Sequence, residues 1–300
     1  MKELVVISGK GGTGKTSLTA AFAALADNHL LCDTDVDAAD LHLLLDPKVV
    51  EKSDFIGGSK ASIVAESCNG CGLCTELCNF SAISTDFVVD PIECEGCGVC
   101  YAFCPEKAID FQPRKCGEWF TSMTRFGRMV HAHLGIGEEN SGKLVSLIRK
   151  QAQVLAEQDQ LDLIVTDGPP GIGCPVIASI TGASAVLIVV EPTVSGLHDM
   201  RRVAELAQHF KIPAMVCINK YDLNTEMTQA IEAETQQRKL ITVGRIPFDP
   251  AFTRAMVNGK TIMEYAPASE LAETVNSIWQ TIRSSEFLTK KEAKILPIMK

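Results

Sequence analysis

Three hundred residues, 46% hydrophobic and 22% charged, supply enough apolar material for one large core, with or without a small added module. A net charge of −9 argues against nucleic acid as the main partner, and no apolar run approaches the ~20 residues a membrane helix needs. The chain enters its first apolar run with no room for a signal peptide, so a cytoplasmic protein is expected, in which eight of the twelve cysteines, clustered between residues 68 and 104, point to metal rather than disulfides.

The first predicted element is a strand, Leu4-Val5-Val6-Ile7. It is followed by Ser8-Gly9-Lys10-Gly11-Gly12-Thr13-Gly14-Lys15-Thr16-Ser17 and an Ala/Leu-rich helix from Leu18 to Ala26. Strand, glycine loop and helix are the context of a phosphate-binding P-loop. Glycines let backbone amides approach phosphate oxygens, and the helix N-terminus turns further amides toward an anion. Gly11, Gly12, Thr13, Gly14, Lys15, Thr16 and Ser17 are therefore expected to bind nucleotide. Lys15 would neutralise the β- and γ-phosphates, and the Thr16 hydroxyl would ligate Mg²⁺.

A second buried strand, Leu30-Leu31-Cys32, ends in Asp33-Thr34-Asp35-Val36-Asp37. Carboxylates at the carboxyl end of a parallel strand stand at the ligand crevice. Asp33 and Asp37 carry two readings, a water-mediated Mg²⁺ contact or a cap on the next helix.

Residues 61–112 change character. Cys68-x₂-Cys71-x₂-Cys74-x₃-Cys78 is followed by Cys94-x₂-Cys97-x₂-Cys100-x₃-Cys104-Pro105, the bacterial ferredoxin run twice over. In that run three thiolates wrap one cubane and the fourth ligates the other cluster. One [4Fe–4S] cluster is thus assigned to Cys68, Cys71, Cys74 and Cys104, and the other to Cys78, Cys94, Cys97 and Cys100. Asn79 rather than proline follows Cys78, a departure that bears on local backbone geometry. Zinc and disulfides are the alternatives, but zinc sites usually set CxxC pairs across a longer spacer.

From residue 113 the earlier composition returns. Trp119 to Leu134 shows no clear period, and its Arg125, Arg128, His131 and His133 read equally as a partner or substrate surface or as solvated groups. Gly135 to Lys143 looks like a second anion loop with too few glycines for a Walker A, and leads into a helix from Leu144 to about Glu157. The strand beginning at Leu161 ends in Asp167-Gly168-Pro169-Pro170-Gly171, which reads as Walker B and switch II. Asp167 would hold Mg²⁺ through water, and the Gly168 amide would sense the γ-phosphate. Cys174, just beyond, reads as a buried structural thiol. Apolar strands follow at Ala185–Val190, Ala214–Ile218 and Ile241–Ile246, the last two ending in Asn219-Lys220-x-Asp222 and Pro247-Phe248-Asp249. A last helix near Ser269 to Arg283 should pack on the sheet, and the basic tail Lys290 to Lys300 should be loose. Alternating strands and helices predict a mainly parallel α/β P-loop sheet flanked by helices. The expected division is 1–60 with 113–300 as the nucleotide domain, and 61–112 as an inserted ferredoxin module.

The loop Gly-Lys-Gly-Gly-Thr-Gly-Lys-Thr, with its second lysine at Lys10, resembles the deviant Walker A of the MinD/ParA/Mrp ATPases and the nitrogenase iron protein. With the other motifs, the whole chain is similar to the CobQ/CobB/MinD/ParA nucleotide-binding P-loop ATPases, carrying a two-cluster ferredoxin insertion. That resemblance implies ATP as substrate and a homodimer in which Lys10 reaches the partner's nucleotide. It makes Asp35 the residue that orients the attacking water, so Lys10, Lys15 and Asp35 form the expected catalytic set. It places Asn219 on the adenine and Pro247 and Asp249 on the other side of the base pocket. The nitrogenase iron protein holds an intersubunit cluster with a cysteine in a loop comparable to 135–143. Here no cysteine lies between Cys116 and Cys174, so no such cluster is expected. The implied function is ATP-driven dimer closure coupled to electron transfer to a protein partner. The alternatives are an assembly or carrier ATPase for iron–sulfur or metal clusters, and a ParA/MinD-type positioning ATPase with redox-sensing clusters.

Overall fold

The computed structural model describes residues 1–135, 138 and 140–289. The expectations for the tail Lys290 to Lys300, and for positions 136, 137 and 139 of the loop before the central helix, fall outside these residues.

The chain opens with β1 (Lys2–Ser8), α1 (Lys15–Leu25), β2 (His29–Asp33), α2 (Leu41–Leu45) and β3 (Lys48–Ser59). It leaves the sheet at Ser59. Two short strands, β4 (Ser62–Ile63) and β5 (Ile109–Asp110), pair antiparallel, with the short helices α3 (Leu73–Leu77) and α4 (Val99–Phe103) between them. The chain re-enters the sheet as β6 (Pro113–Thr124) and β7 (Gly127–Leu134), then α5 (Ser141–Gln158) and β8 (Leu163–Pro170). After α6 (Cys174–Ile180) come β9 (Ala185–Val190), α7 (Val194–His209), β10 (Ala214–Asn219), α8 (Thr225–Gln237) and β11 (Ile241–Ile246). It closes with α9 (Pro250–Val257), α10 (Ile262–Tyr265), α11 (Glu270–Ser284) and α12 (Glu286–Thr289).

Nine strands form one sheet in the order β11-β10-β9-β1-β8-β2-β7-β6-β3. From β11 to β7 every pairing is parallel; β6 and β3 are added antiparallel at one edge. The inner parallel strands β10, β9, β1, β8 and β2 are buried on both faces, which is why they read as apolar runs. Alternate residues serve opposite cores: Leu4 and Val6 face one layer of helices, and Val5 and Ile7 the other. On the first face α11 lays Leu271, Val275, Ile278 and Ile282 against the sheet, and its Trp279 stacks on Phe22 of α1 at 5.2 Å. Ser269 caps α11 through the Ala272 amide. Among the described residues no helix is long and apolar enough to cross a membrane.

The region without clear period, Trp119 to Leu134, is an antiparallel hairpin of β6 and β7 turning at Arg125 and Phe126. Its alternation is masked because His131 is buried beside Val130 and Ala132, while the edge strand β3 exposes Val49, Val50 and Ile56. The cysteine-rich segment thus departs from and returns to the sheet through two paired strands at its edge, Ser59 facing Pro113.

Inside that segment the backbone repeats at a constant offset of 26 residues. Gly70 and Gly96, Gly72 and Gly98, and Ser81 and Lys107 all take positive φ, at 71° and 61°, 77° and 74°, and 54° and 51°. Gly72 and Gly98 stand at the N-terminal ends of α3 and α4.

Candidate functional site

The loop between β1 and α1 carries the predicted phosphate cradle to the centre of the sheet. Gly14 opens α1 at φ 87°, and a Cβ there would lie 2.4 Å from the Asn219 amide nitrogen. Glycine is required on both counts. Asn219 at the end of β10 donates to the Thr13 carbonyl at 2.8 Å. Lys220 donates to the Gly12 carbonyl at 3.3 Å and pairs with Glu191 at 2.5 Å. The ends of β9 and β10 thus brace the loop.

Lys15 sits among three carboxylates. Its Nζ donates to Asp35 at 3.2 Å and to Asp167 at 3.5 Å. The Thr16 hydroxyl donates to Asp167 Oδ2 at 2.7 Å, and the Thr19 hydroxyl to Oδ1 at 2.9 Å. Thr19 did not stand out in the sequence, although the i,i+3 spacing from Thr16 on one helix face points to a shared partner. Burial pulls the Lys15 pKa down, but the charges of Asp167, Asp35 and Asp33 outweigh it and the net shift is upward. Asp35 is shifted up, by burial against the opposing pull of Lys15. Asp33 is fully buried and shifted well above the usual carboxylate range, first by burial and then by the charge of Asp167. Asp33 does not cap a helix: its Oδ1 accepts the Asp35 amide at 3.1 Å, and Asp40 stands at the start of α2. Asp37 is exposed.

Gly168 follows Asp167 inside β8, where a Cβ would lie 2.4 Å from Ile7. Thr34 ties the ends of β2 and β8 together, its amide and hydroxyl both donating to the Asp167 carbonyl at 2.8 Å. Lys10 points away from Asp33, Asp35 and Asp167, with Nζ 3.4 Å from the Ser195 hydroxyl and 4.0 Å from the Glu191 carboxylate. On the expected base side, Asp222 accepts the Phe248 amide at 2.6 Å and so joins the two loops. The Asp249 carboxylate is engaged in capping α9 through the Ala251 amide at 2.7 Å, which leaves Pro247 and the exposed Phe248 to present surface.

The cysteines gather in two groups. One small cavity is lined by Cys68, Cys71, Cys74 and Cys104, with Ile63, Phe87 and Ile109. A second is lined by Cys78, Cys94, Cys97 and Cys100, with Phe80, Val99 and Phe111. Each holds three cysteines of one run and the last of the other, the grouping expected from the spacing. The Ala108 amide donates to Cys104 Sγ at 3.3 Å. Among the described residues no three His, Cys, Asp or Glu side chains close around a single-ion position.

A continuous line of contacts runs from the carboxylates to this segment. The Val36 carbonyl, next to Asp35, accepts the Leu134 amide at 2.9 Å, and the Gly135 amide donates to the Cys116 carbonyl at 2.8 Å. Cys116 on β6 packs beside Gly58 of β3. A Cβ on Gly96, in the second cysteine run, would lie 2.4 Å from the Ser59 carbonyl.

Two further expectations are decided here. Cys174 is exposed, not a buried structural thiol. It begins α6 directly after the Gly171–Gly173 turn, so its side chain stands at the helix end beside Gly142 rather than under the sheet. Arg125 and His131 are structural. Arg125 grips Glu264 at 2.6 and 2.8 Å and donates to the Leu44 and Gly259 carbonyls. His131 is hydrogen-bonded to the Ser122 hydroxyl at 2.9 Å, and burial, then His42 and His133, lower its pKa to about 4. Arg128 pairs with Asp159 at 3.0 Å, and His133 is exposed 3.6 Å from Glu118.

A family model described as the CobQ/CobB/MinD/ParA nucleotide binding domain matches residues 4–262. An uncharacterized protein of Methanocaldococcus jannaschii, MJ0578, is 34% identical over 225 residues, 74% of this chain and 79% of that one. Among solved structures, the cell division ATPase MinD of Pyrococcus furiosus superposes with a TM-score of 0.58 at 19% identity, covering 94% of this chain and 98% of that one. The septum site-determining protein MinD of Pyrococcus horikoshii, complexed with Mg-ADP, gives 0.59 at 18% identity, covering 94% and 96%.

Proposed function

Because the chain belongs to the CobQ/CobB/MinD/ParA nucleotide-binding family of P-loop ATPases, we propose that it hydrolyses Mg-ATP and couples the cycle to one-electron transfer through two [4Fe–4S] clusters. The clusters would be held by Cys68, Cys71, Cys74 and Cys104, and by Cys78, Cys94, Cys97 and Cys100, in a module of residues 61–112. The observation that supports this is the sorting of eight cysteines into two separate cavities, four to each, across two sequence runs. When bound, such clusters supply one-electron chemistry at a potential set by their surroundings.

The chain's own residues do the rest. A γ-phosphate entering the loop competes with Asp35 and Asp167 for the Lys15 ammonium. Transfer of Lys15 to the phosphate releases Asp35 to orient water, and Asp167 with Thr16 to hold the Mg²⁺ shell. Lys10 would serve a partner subunit's nucleotide in a homodimer. Asn219 is already spent on the Thr13 carbonyl, so it positions the loop as well as meeting the base. Movement at Asp35 reaches the module root through Val36, Leu134, Gly135 and Cys116. The acceptor is a protein partner.

A second reading, a positioning ATPase, is favoured by the solved neighbours, among them MinD proteins of cell division. Iron tests the clusters on which the electron-transfer reading depends. Protein purified anaerobically should carry about eight iron atoms and matching acid-labile sulfide per chain, with the broad absorption of such clusters. Stoichiometric zinc without sulfide overturns the reading.

A further inference from the structure

The two halves of the cysteine-rich segment are near copies in backbone, so a difference between them that the fold does not demand is informative. Positions 26 residues apart are equivalent. At the second cysteine group the exposed rim is apolar. Phe80 (43% exposed) and Val99 (37%) line that cavity beside the exposed Cys97, and Phe111, which also lines it, stacks with Tyr101 (53% exposed) at 5.6 Å. At the first group the counterparts of Phe80, Val99 and Tyr101 are Glu106, Leu73 and Thr75. Glu106 is exposed and accepts from Asn69 at 3.0 Å, while Leu73 and Thr75 are half-buried. The same backbone therefore exists with Glu106 and Thr75 in place of Phe80 and Tyr101. The exposed apolar patch at the second group is not a packing requirement.

Charge describes what covers it. Residues 61–112 contain eight Asp and Glu (66, 76, 86, 90, 93, 95, 106 and 110) against the single Lys107, so they carry −7 of the chain's −9. Glu93 and Glu95 stand in the run that bears Cys94 and Cys97, and Glu95 lines the same cavity. An apolar centre with a charged rim is the anatomy of a protein–protein contact. A rim of one sign selects a partner of the other and steers its approach, while repelling acidic proteins and anionic membranes.

We infer that the face formed by Phe80, Val99, Tyr101 and Phe111 is the docking surface for a redox protein that presents a basic ring around an apolar centre. The inference rests on the electron-transfer reading above. Contact here places the partner against Cys97 and Cys100, so one electron passes between the second cysteine-held group and the partner's redox centre. One side is oxidised, the other reduced, and no bond is made or broken. The same cysteine run abuts the module root at Ser59. A docked partner therefore lies at the end of the contact line that starts at Asp35.

The test titrates full-length protein, purified anaerobically, with a small basic c-type cytochrome and with an acidic flavodoxin as probes, and reads binding by calorimetry. Binding of the cytochrome at low salt, weakened at least tenfold between 20 and 200 mM salt, with none for flavodoxin, is expected. Tyr101→Ser and Val99→Ser should each weaken it several-fold. Val88→Ser, 65% exposed and not among the rim residues, should leave it unchanged, and all three variants should keep wild-type nucleotide affinity. Equal binding of both probes, salt-independent binding, or an equal effect of Val88→Ser overturns the inference. So does patch-dependent self-association, which would make the occupant a second copy. Iron and sulfide are measured on the same samples. Their absence defeats the cluster reading, while the binding result stands or falls separately.

Discussion

His131 offers a quantitative check on the hairpin of β6 and β7. It lies on β7 and is 8% exposed, with its imidazole on the Ser122 hydroxyl of β6 at 2.9 Å. Burial, reinforced by His42 and His133, lowers its pKa from 6.5 to about 4. The unfolded chain therefore binds more protons than the folded one between those values. Stability from a neutral His131 is fully present above about pH 6.5 and is lost as pH falls toward 4. The complete shift corresponds to about 3 kcal/mol, of which about 2 kcal/mol is gone at pH 5. His131→Gln keeps a hydrogen-bonding group toward Ser122 but does not titrate. Urea unfolding of both proteins at pH 7.5 and 5.0 isolates the effect, since the other titrating groups are common to both. Wild type should lose about 2 kcal/mol more than the variant between the two pH values. Parallel losses would refute the claim that His131 is held neutral by burial.

Four other outcomes are expected. Lys15→Ala should abolish nucleotide binding, whereas Lys10→Ala should spare binding and depress turnover; equal loss of binding in calorimetry would place Lys10 in its own subunit's loop. Gly14→Ala should cost about 1–2 kcal/mol from the left-handed backbone alone, displace Asn219, and weaken nucleotide binding at least tenfold; unchanged affinity would mean that Asn219 does not brace the loop. Arg149→Met strands the buried Glu3 carboxylate, which Arg149 holds at 2.6 and 2.9 Å, and should destabilise the fold by about 3–5 kcal/mol in denaturant titration; a loss under 1 kcal/mol would contradict the burial. Finally, potentiometric titration with and without a Mg-ATP analogue should show a shift of tens of millivolts, a tenfold change in affinity corresponding to ~59 mV for one electron; identical potentials would mean that the contact line from Val36 to Cys116 carries no coupling.

The P-loop, the strand-end aspartates and the parallel strands were legible in the sequence because each depends on local order. A glycine loop must sit between a strand and a helix, and a strand buried on both faces must be apolar throughout. The cysteine spacing likewise contains its own cross-pairing rule, and the two cavities group the same residues. Tertiary structure decided what depends on residues far apart in the chain. The carboxylates that surround Lys15 come from β2 and β8, so their proximity to it and the upward shift of Asp33 follow from burial and sheet order. Arg125 and His131 could not be separated from solvated groups until α10 and β6 were packed against them. Cys174 is exposed where its sequence reads as buried, because exposure at a helix end is set by the turn that delivers it, not by its apolar neighbours. The polar and apolar rims of the two cysteine groups became distinguishable only when folding showed which side of each repeat faces water.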